Sequence, residues 1–553
     1  MIDFKKITEF AEELFYYKTD MNCCNAIPVT DHQIEKLEIQ GCRSDSWNLV
    51  KFTPESDINL VNNCCFLGSN IVHLPDGILS ATTLEDCEIE GPLIARSNLL
   101  IKGLILLPGS RVEYCGSLQW DSTPGAMDSF INAGVETGER RVPVLPHFDH
   151  NDLAFLGSAA GRETVEECIL FRNKIKNRLK GVIGRDSVVS NCSCLQNSLL
   201  LHSVLINNAT AIRGSILLSG SFAGDGALVR NSVLQWNSSV DSCAIVENSI
   251  VGECAVVERH GKLKDSFLGA DSVLAEGEVT ASVVGPLTGI HHQSLLIAAM
   301  WPGGMGNIGY GANIGSNHTS RLPDQEIRPG TGQFFGLSTS VKFPSDFSQS
   351  PYTIIATGLT TLPQKVSFPF SLITLPRKRP DNIPNGWCQL IPGWMISDNL
   401  YSLLRNEWKY TNRLRAVHTA VDTSVFSEEV LEQVRSSKES LERYSGMSIP
   451  GTGKNFITEE DRLSGIEAYR KCLRGMELWK KFLERSLNDS ETGEMLDQLR
   501  HVRTATISSR MKDYKRGDRI ISDYLAVRES PEEDRFIQFL EVLYNKIESE
   551  LGK

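Results

Sequence analysis

The sequence lacks the patterns that mark several common protein classes. It contains 14 cysteines among 553 residues but no pair of Cys-x-x-Cys motifs, so a structural zinc site is not expected. No stretch approaches the roughly 18 consecutive apolar residues of a membrane-spanning helix. The first residues, Met1 to Lys6, also lack the apolar run of a signal peptide. We therefore expect a cytoplasmic protein without a membrane partner.

The sequence also lacks an excess of basic residues. Its net charge is −12 and its pI about 5.5, which disfavours nucleic acid as a partner. The N-terminal region shows no βαβ alternation and no glycine-rich nucleotide loop. The segment Gly451-Thr452-Gly453-Lys454 differs from a phosphate loop, because Ser448 and Asn455 stand where glycine and Ser or Thr are required. A nucleotide-transferring domain is therefore not indicated.

What the sequence does contain is a repeat. Six serines recur with advances of 17, 17, 17, 17 and 16 residues, each followed by an apolar pair; they are Ser198, Ser215, Ser232, Ser249, Ser266 and Ser282. Further apolar steps within each period give three short strands per repeat, separated by small polar residues. A fixed period of this kind predicts a solenoid with three flat sides. The apolar residues that follow the serines should form one stacked column: Leu199, Ile216, Val233, Ile250, Phe267 and Val283.

The clearest form of the unit is Ile308-Gly309-Tyr310-Gly311-Ala312-Asn313-Ile314-Gly315, in which an aliphatic-glycine pair returns after six residues. Three hexads make 18 residues, close to the observed period. The pattern resembles the hexapeptide-repeat transferases, which are left-handed parallel β-helices. That resemblance implies the left hand, against the usual handedness of parallel crossovers. Right-handed parallel β-helices have longer and less regular coils and are the weaker alternative.

The fold predicted for the chain is mainly β, a left-handed parallel β-helix solenoid with an inserted helix and an α-helical C-terminal domain. An interruption of the period should contain a helix at 162–180, packed on the outside of the solenoid or on a neighbouring subunit. The predicted segments are an N-terminal helical cap (1–35), the first coils (36–120), an insertion (121–180), the main β-helix (181–375) and a helical C-terminal domain (376–553).

Candidate catalytic residues lie where the repeat is interrupted. His291, His292 and His318 fall within 28 residues, beside glycine-rich loops. Imidazole can serve as a general base near neutral pH, and glycine-rich turns can present N–H groups to an oxyanion. The structural alternative is that His318 bonds backbone carbonyls at a corner and that His291 and His292 stack on the loop at Trp301.

Polar residues near these histidines complete a candidate site. The candidate substrate-binding residues are Asn313, Asn317, Asp324, Glu326, Arg140 and Arg141. The two arginines could hold a phosphorylated ligand, and the alternative is a solvated loop. His147-Phe148-Asp149-His150 offers three potential metal ligands in four residues, but Asp149 or Asn151 could instead cap a turn. We predict no metal.

A narrower resemblance covers about residues 60–375. Its segments, Gly315-Ser316-Asn317-His318-Thr319-Ser320, Phe343-Pro344-Ser345-Asp346-Phe347 and Thr360-Thr361-Leu362-Pro363-Gln364, are similar to an uncharacterised bacterial family of left-handed β-helix proteins. The wider superfamily implies an acyl- or acetyltransferase that uses acyl-CoA or acetyl-CoA as donor and a sugar-nucleotide or similar polar metabolite as acceptor. It also implies a homo-oligomer, with a trimer favoured. The alternatives are a protein related to sugar-phosphate nucleotidyltransferases and a non-catalytic ligand-binding or assembly platform.

Overall fold

The structure is a computed structural model that describes residues 2, 4–15, 25–136, 140–315, 326–342, 344–376, 378–445 and 449–488. The chain is mainly β, a parallel β-solenoid of about 18 turns with a few helices, including a C-terminal helical part. It divides into two compact units. The first comprises residues 1–304, 308–327 and 415–420, and the second comprises residues 305–307, 328–414 and 421–553.

Three sheets, called faces A, B and C, form the sides of the first unit, and the chain visits them in the order A, C, B in each coil. Face A consists of Ile27–Pro28, Val50–Phe52, Asn70–His73, Glu88–Glu90, Ile105–Leu106, Val182–Ile183, Leu199–Leu200, Ile216–Leu217, Val233–Leu234, Ile250–Val251, Phe267–Leu268, Val283–Val284 and Met300–Trp301. All its strand pairings are parallel except that of the first two strands.

Faces B and C have the same parallel pairing. In the first unit, face B consists of Arg43–Ser44, Cys65–Leu67, Thr83–Glu85, Leu100–Lys102, Ser117–Gln119, Cys194–Gln196, Ala211–Arg213, Leu228–Arg230, Ile245–Glu247, Lys262–Lys264, Glu278–Thr280, Leu295–Ile297 and Asn313–Ile314. Face C consists of Val61–Asn62, Gly77–Ser80, Leu93–Arg96, Arg111–Glu113, Val188–Ser190, Leu205–Asn207, Phe222–Gly224, Ser239–Val240, Val256–Glu258, Val273–Ala275 and Gly289–His291.

The predicted apolar column is confirmed by the register of face A. Leu199 pairs with Ile216, and the pairing continues without a shift through the remaining four members of the column to Val283. All six side chains are buried. The equal advance of the repeat therefore places equivalent residues in adjacent coils.

The repeated serines have a structural reason, which is a ladder of hydrogen bonds at the corner between faces B and A. The backbone N–H of Ser215 donates to Oγ of Ser198 at 3.1 Å, and the same relation links Ser232 to Ser215 at 3.2 Å. Each hydroxyl in turn donates to the carbonyl two residues earlier, as Ser198 does to Gln196 at 2.9 Å. The ladder continues to Ser282. Serine satisfies buried backbone groups that an apolar residue would leave unpaired.

Face A differs from the other faces because other parts of the chain cover its outer side. Strands of face B typically have one buried residue between two more exposed ones, whereas both residues of face A strands such as Ile250–Val251 are buried. Since neighbouring side chains in a strand point to opposite sides, the column containing Ile250 faces outward. It belongs to one apolar cluster with Met127, Ile131 and Phe148 of the insertion.

The insertion packs on the outside of the solenoid, one of its two predicted positions. Its elements are the 3-10 turn Gly125–Asp128, the antiparallel hairpin Phe130–Asn132 and Arg141–Pro143, the helix His150–Leu156, the 3-10 turn Ala159–Gly161 and the helix Arg162–Lys176. Ile105 pairs directly with Val182, so the coils continue in register across the interruption. In the described part of the first unit, the helical elements before the insertion are Phe4–Glu13, Asp31–Ile39, Trp47–Leu49 and Ile58–Leu60.

The short segment 415–420 binds the corner between faces A and C. The carboxylate of Glu253 is buried and accepts the backbone N–H groups of Val417, His418 and Thr419 at 2.7–3.2 Å. The ring of His418 stacks on Trp236, with centroids 4.2 Å apart. A buried carboxylate that receives several N–H groups forms charge-assisted hydrogen bonds, so this segment is firmly attached.

The second unit contains shorter ladders and most of the long helices. Its strands are Phe334–Phe335, Ser340–Val341, Ser345–Asp346, Ile354–Ile355, Thr360–Thr361, Gln364–Lys365, Leu372–Thr374, Cys388–Ile391 and Asn455–Phe456, and its helices are Trp394–Ser397, Leu400–Arg413, Glu428–Arg443 and Glu459–Asn488. Ile327–Arg328 and Asn307–Ile308 fall on the divisions between the units. The part of the predicted helical C-terminal domain beyond residue 488 lies outside the described residues.

Candidate functional site

Two of the predicted catalytic histidines lie at one corner, between faces C and B. His291 ends the strand Gly289–His291, and His292 begins the turn with a φ of +54°. The backbone N–H of His292 donates to the carbonyl of Ala275 in the preceding coil. The two imidazole centroids are 5.9 Å apart. Both rings therefore belong to one small region of the surface.

Glu276 orients one of these rings. It stands at the equivalent corner one coil earlier, and its Oε2 lies 2.9 Å from Nδ1 of His292. The side chains of His292 and Glu276 are 62% and 42% exposed. A carboxylate on Nδ1 favours the tautomer in which Nε2 is an acceptor. Among the described residues, this Nε2 has no hydrogen-bond partner, so it can accept a proton from a bound molecule.

Asn313 stands one coil later, at the start of the face B strand Asn313–Ile314. Its Cα pairs with that of Leu295, which places it near the corner of His292. Its Oδ1 is buried and has no hydrogen-bond partner within the part of the chain that the structure describes. An unsatisfied buried acceptor is costly, and because this oxygen is shielded from solvent its role in binding stays a prediction.

Other predicted binding residues lie at the corner between faces B and A. Arg140 forms an ion pair with Glu326, and both side chains are largely buried. Ile327, next to Glu326, forms a β-bridge with Ala299 beside face A. Arg141 lies in the insertion hairpin, with its guanidinium carbon 4.5 Å from the ring centroid of Phe130.

The structure therefore separates the described candidates into two groups. His292 and Ala298 mark the two ends of the face B portion of one coil, six residues apart. At about 3.3 Å per residue, the two corners are about 15–20 Å apart. Arg140 and Glu326 are thus too far from His292 to contact the atoms on which that ring would act. His318, Asn317 and Asp324 lie outside the described residues, and their place in the site stays a prediction.

The segment around His147 has a structural role. Asp149 caps the helix His150–Leu156, with its side chain accepting the N–H groups of Asn151 and Asp152. His150 is buried, and burial lowers its pKa, which keeps the ring neutral. Among the described residues, no three His, Cys, Asp or Glu side chains are grouped as a metal ion would require.

A polar cavity that the sequence did not reveal lies between the insertion and the solenoid. Its volume is about 500 Å³, and it is lined by Gly125, Asp128, Ser129, Phe130, Asn132, Arg141, Asn231, Asn248 and Asp265. Of these, the sequence had indicated only Arg141. Asn231, Asn248 and Asp265 occur at the turn position of successive repeats, so in the sequence they look like ordinary corner residues. They form the wall of a cavity only because the insertion packs next to them in the folded protein.

Comparisons with known proteins give a family match without a known activity. The model of a family described as "Domain of unknown function (DUF4954)" matches residues 129–379. An uncharacterized protein of Treponema pallidum (strain Nichols) is 28% identical over 186 residues, which are 33% of this chain and 25% of that protein. The chain thus spans about a quarter of the length of this relative.

Solved structures also match this chain. One of them is a crystal structure of a "putative acetyltransferase" from Desulfovibrio desulfuricans G20, which is 10% identical, covers 53% of this chain and 66% of its own, and has a TM-score of 0.12. At this TM-score the likeness supports no statement about activity. No helix in the described part of the chain is long and apolar enough to cross a membrane.

Proposed function

We propose that the protein is an acyltransferase of the hexapeptide-repeat type, with His292 as the general base. The observation that carries the proposal is the 2.9 Å contact between Glu276 and Nδ1 of an exposed imidazole. The acceptor is a sugar-nucleotide or a related polar metabolite, and the donor is acetyl-CoA or another acyl-CoA. His291 lies beside the base, where it can contact the acceptor, and Asn313 is the predicted binding residue of the next coil.

The reaction that this geometry allows is a transfer without a metal. The hydroxyl or amine of the acceptor gives its proton to Nε2 of His292 while its oxygen or nitrogen attacks the thioester carbonyl. The carbon–sulfur bond then breaks, and the imidazolium returns the proton to the departing thiolate. Glu276 orients the ring through Nδ1 during these steps and leaves Nε2 to exchange the proton. His318, with Asn317 and Asp324, remains the alternative base and its polar neighbours.

The test measures the release of free CoA from acetyl-CoA with a thiol reagent, in the presence of free and nucleotide-linked amino sugars. With a competent acceptor, His292→Ala should lower kcat/KM by about 10²- to 10⁴-fold, the usual contribution of a general base. Glu276→Gln should have a smaller effect, because the amide can still contact Nδ1 but orients the ring less firmly. The matched control is His260→Ala, since His260 is an exposed histidine at the same corner in an earlier coil.

Three results would contradict the proposal. If the unmodified protein releases no CoA with any acceptor of this class, the acyltransferase hypothesis fails. If His292→Ala keeps full activity while His318→Ala loses it without a change in melting temperature, the base is His318. Equal losses of activity in the His292→Ala and His260→Ala variants would show that any substitution at this corner lowers activity, without a specific role for His292.

We also propose that the protein forms a homo-oligomer, with a trimer favoured. In the first unit, the insertion covers face A, so self-association would use face B or C. His292 lies exposed at the corner that joins these two faces, and a neighbouring subunit could complete a site around it. Sedimentation at micromolar concentration should give a mass above that of the 61.3 kDa chain. A strict monomer would exclude a site shared between subunits.

A further inference from the structure

The polar cavity forms because the insertion follows one corner of the solenoid and then departs from it. The segment is attached to the corner between faces B and A at Asn197, whose Oδ1 accepts the N–H of Asp121 at 2.8 Å. Two further backbone hydrogen bonds attach the segment to this corner. The N–H of Ala126 donates to the carbonyl of Gly214, and the N–H of Asn132 donates to the carbonyl of Asp265. Between these last two contacts, the 3-10 turn Gly125–Asp128 leads the chain away and leaves the cavity of about 500 Å³.

One wall of the cavity is a directed ladder of polar side chains. Nδ2 of Asn231 donates to Oδ1 of Asn248 at 3.4 Å, and Nδ2 of Asn248 donates to Oδ1 of Asp265 at 3.0 Å. The turn itself does not require these side chains, since Gly214 and Ala281 occupy the same corner in neighbouring coils, also with positive φ. Asn197 is also polar at this corner, but its Oδ1 accepts the N–H groups of Asp121 and Ser122 and it does not line the cavity. Asn231, Asn248 and Asp265 are the polar corner residues that line the cavity, where their side chains can meet a ligand.

The opposite wall is held in place by a buried arginine. Arg172 is 4% exposed, and its Nη1 donates to the carbonyl of Ser129 at 2.7 Å. Its guanidinium carbon lies 4.7 Å from the ring centroid of Phe130, and that of Arg141 lies 4.5 Å from the same centroid. These contacts fix the Phe130 ring beside the polar ladder. The cavity is therefore built from rigid elements and offers one apolar surface.

The charges of the lining residues, counted with the direct partner of Asp128, are balanced, and Arg172 lies behind Phe130 and does not line the cavity. Asp128 is paired with Lys176, and the two remaining lining charges are the cation of Arg141 and the anion of Asp265. A site for phosphate would instead show an excess of donors and positive charge. Here amide groups, a hydroxyl and a carboxylate offer both donors and acceptors, which suits hydroxyl groups that donate and accept at once.

We propose that this cavity binds a neutral saccharide of mono- or disaccharide size. The ligand hydroxyls would bond to Asn231, Asn248 and Asp265, and its C–H surface would contact the edge of Phe130. The volume falls within the range of about 300–1,000 Å³ that is usual for small-ligand pockets. The cavity is separate from the corner of His292, so this binding does not depend on the acyltransferase hypothesis.

Isothermal titration of the full-length protein tests the proposal. The probes are glucose, N-acetylglucosamine, maltose and cellobiose, with glucose 6-phosphate and inorganic phosphate as anionic comparisons. At least one neutral sugar should bind, and Asp265→Asn should weaken it by about tenfold, because a hydrogen bond to a charged acceptor is lost. Asparagine tolerates the φ of +48° at this position, so the fold should be kept. Arg141→Gln should also weaken binding, because it removes a lining guanidinium that packs on Phe130. It provides a second variant outside the solenoid.

The matched control is Asp186→Asn, which makes the same substitution at a corner residue with a φ of +54° that does not line the cavity. It should leave the affinity unchanged, and so should His292→Ala. Tighter binding of phosphate than of any neutral sugar would overturn the proposal in favour of an anion site. Absence of binding by all probes, or an affinity insensitive to both cavity variants, would also overturn it.

Discussion

Faces A and B are made from the same repeat but meet different surroundings. On face A the strand Ile250–Val251 is buried on both sides, whereas on face B the strand Ile245–Glu247 buries only Val246. Both sides come from one coil, so the period cannot explain the contrast. It arises because the insertion packs on the outer column of face A. One side of a solenoid can therefore be covered and form a second core, or it can be an exposed surface. A strand on a covered side is apolar at every position, whereas a strand on an exposed side alternates between buried and exposed residues.

The sharpest test of this contrast places the same charge on each face. Ile250→Asp buries an unpaired carboxylate beneath the insertion and should lower the free energy of unfolding by about 4–5 kcal/mol. Ile245→Asp, at a position 37% exposed, should cost about 1 kcal/mol or less. Thermal unfolding measures both. Similar losses in the two variants would mean that face A is not covered in solution.

A substitution within the insertion can also test its packing on face A. Ile131 is fully buried in the cluster between the insertion and face A, and Ile131→Ala should cost about 3 kcal/mol, the usual value for a truncated core isoleucine. Leu170→Ala is the control, because Leu170 is in the inserted helix but 64% exposed, and it should change stability by about 0.5 kcal/mol or less. Denaturant unfolding separates the two. An Ile131→Ala variant as stable as the control would contradict the packing.

The corner between faces A and C provides a test of intermediate size. Glu253→Gln replaces one acceptor oxygen by an NH₂ group that faces the N–H groups of segment 415–420. We expect a loss of about 2 kcal/mol and greater proteolysis near residue 417. Glu258→Gln, on face C, should leave the segment protected. Equal cleavage in both variants would show that the carboxylate does not hold this segment.

The smallest expected effect is on the pH dependence of the unfolding free energy. Its sign should be opposite for Glu113 on face C and for Glu13 near face A. On face C, burial raises the pKa of Glu113, but hydrogen bonds and charges from Arg111 and Arg96 outweigh it and leave the pKa below its ordinary value of 4.5. The group therefore stabilises the fold above pH 4.5, and this contribution is lost as the pH falls further. Glu113→Gln should flatten that acid loss by about 1 kcal/mol or less.

Near face A the sign is reversed. Burial raises the pKa of Glu13, against a hydrogen bond from Trp236 and the charge of His418. The folded protein holds this proton more tightly than the unfolded chain does, so stability decreases as the pH rises through 4.5. Glu13→Gln should be at least as stable as the unmodified protein at neutral pH and should lose that advantage in acid. Unfolding curves measured from pH 3 to 7 would show the two opposite trends, and parallel trends would contradict them.

The sequence by itself determined the solenoid, its period and the column from Leu199 to Val283. These features follow from local repetition: an advance of 17 residues, or 16 in the last step, returns equivalent residues to the same place. Serine at each corner bonds the backbone of the adjacent coils. The helix at Arg162–Lys176 was likewise predictable from its periodicity, within the bounds 162–180. The left hand, which came from resemblance to a family, stays a prediction.

Only the tertiary structure decided which surfaces face each other. Glu276 and His292 are 16 residues apart and form a pair because they occupy one corner in adjacent coils. Arg140 and Glu326 are 186 residues apart, and their contact depends on where the insertion returns. The ladder Asn231, Asn248 and Asp265 became a cavity wall for the same reason. The local repeat in the sequence is enough to predict the coils. Which segments pack on the outside of the coils depends on contacts between residues far apart in the chain, and a local repeat carries no information about those contacts.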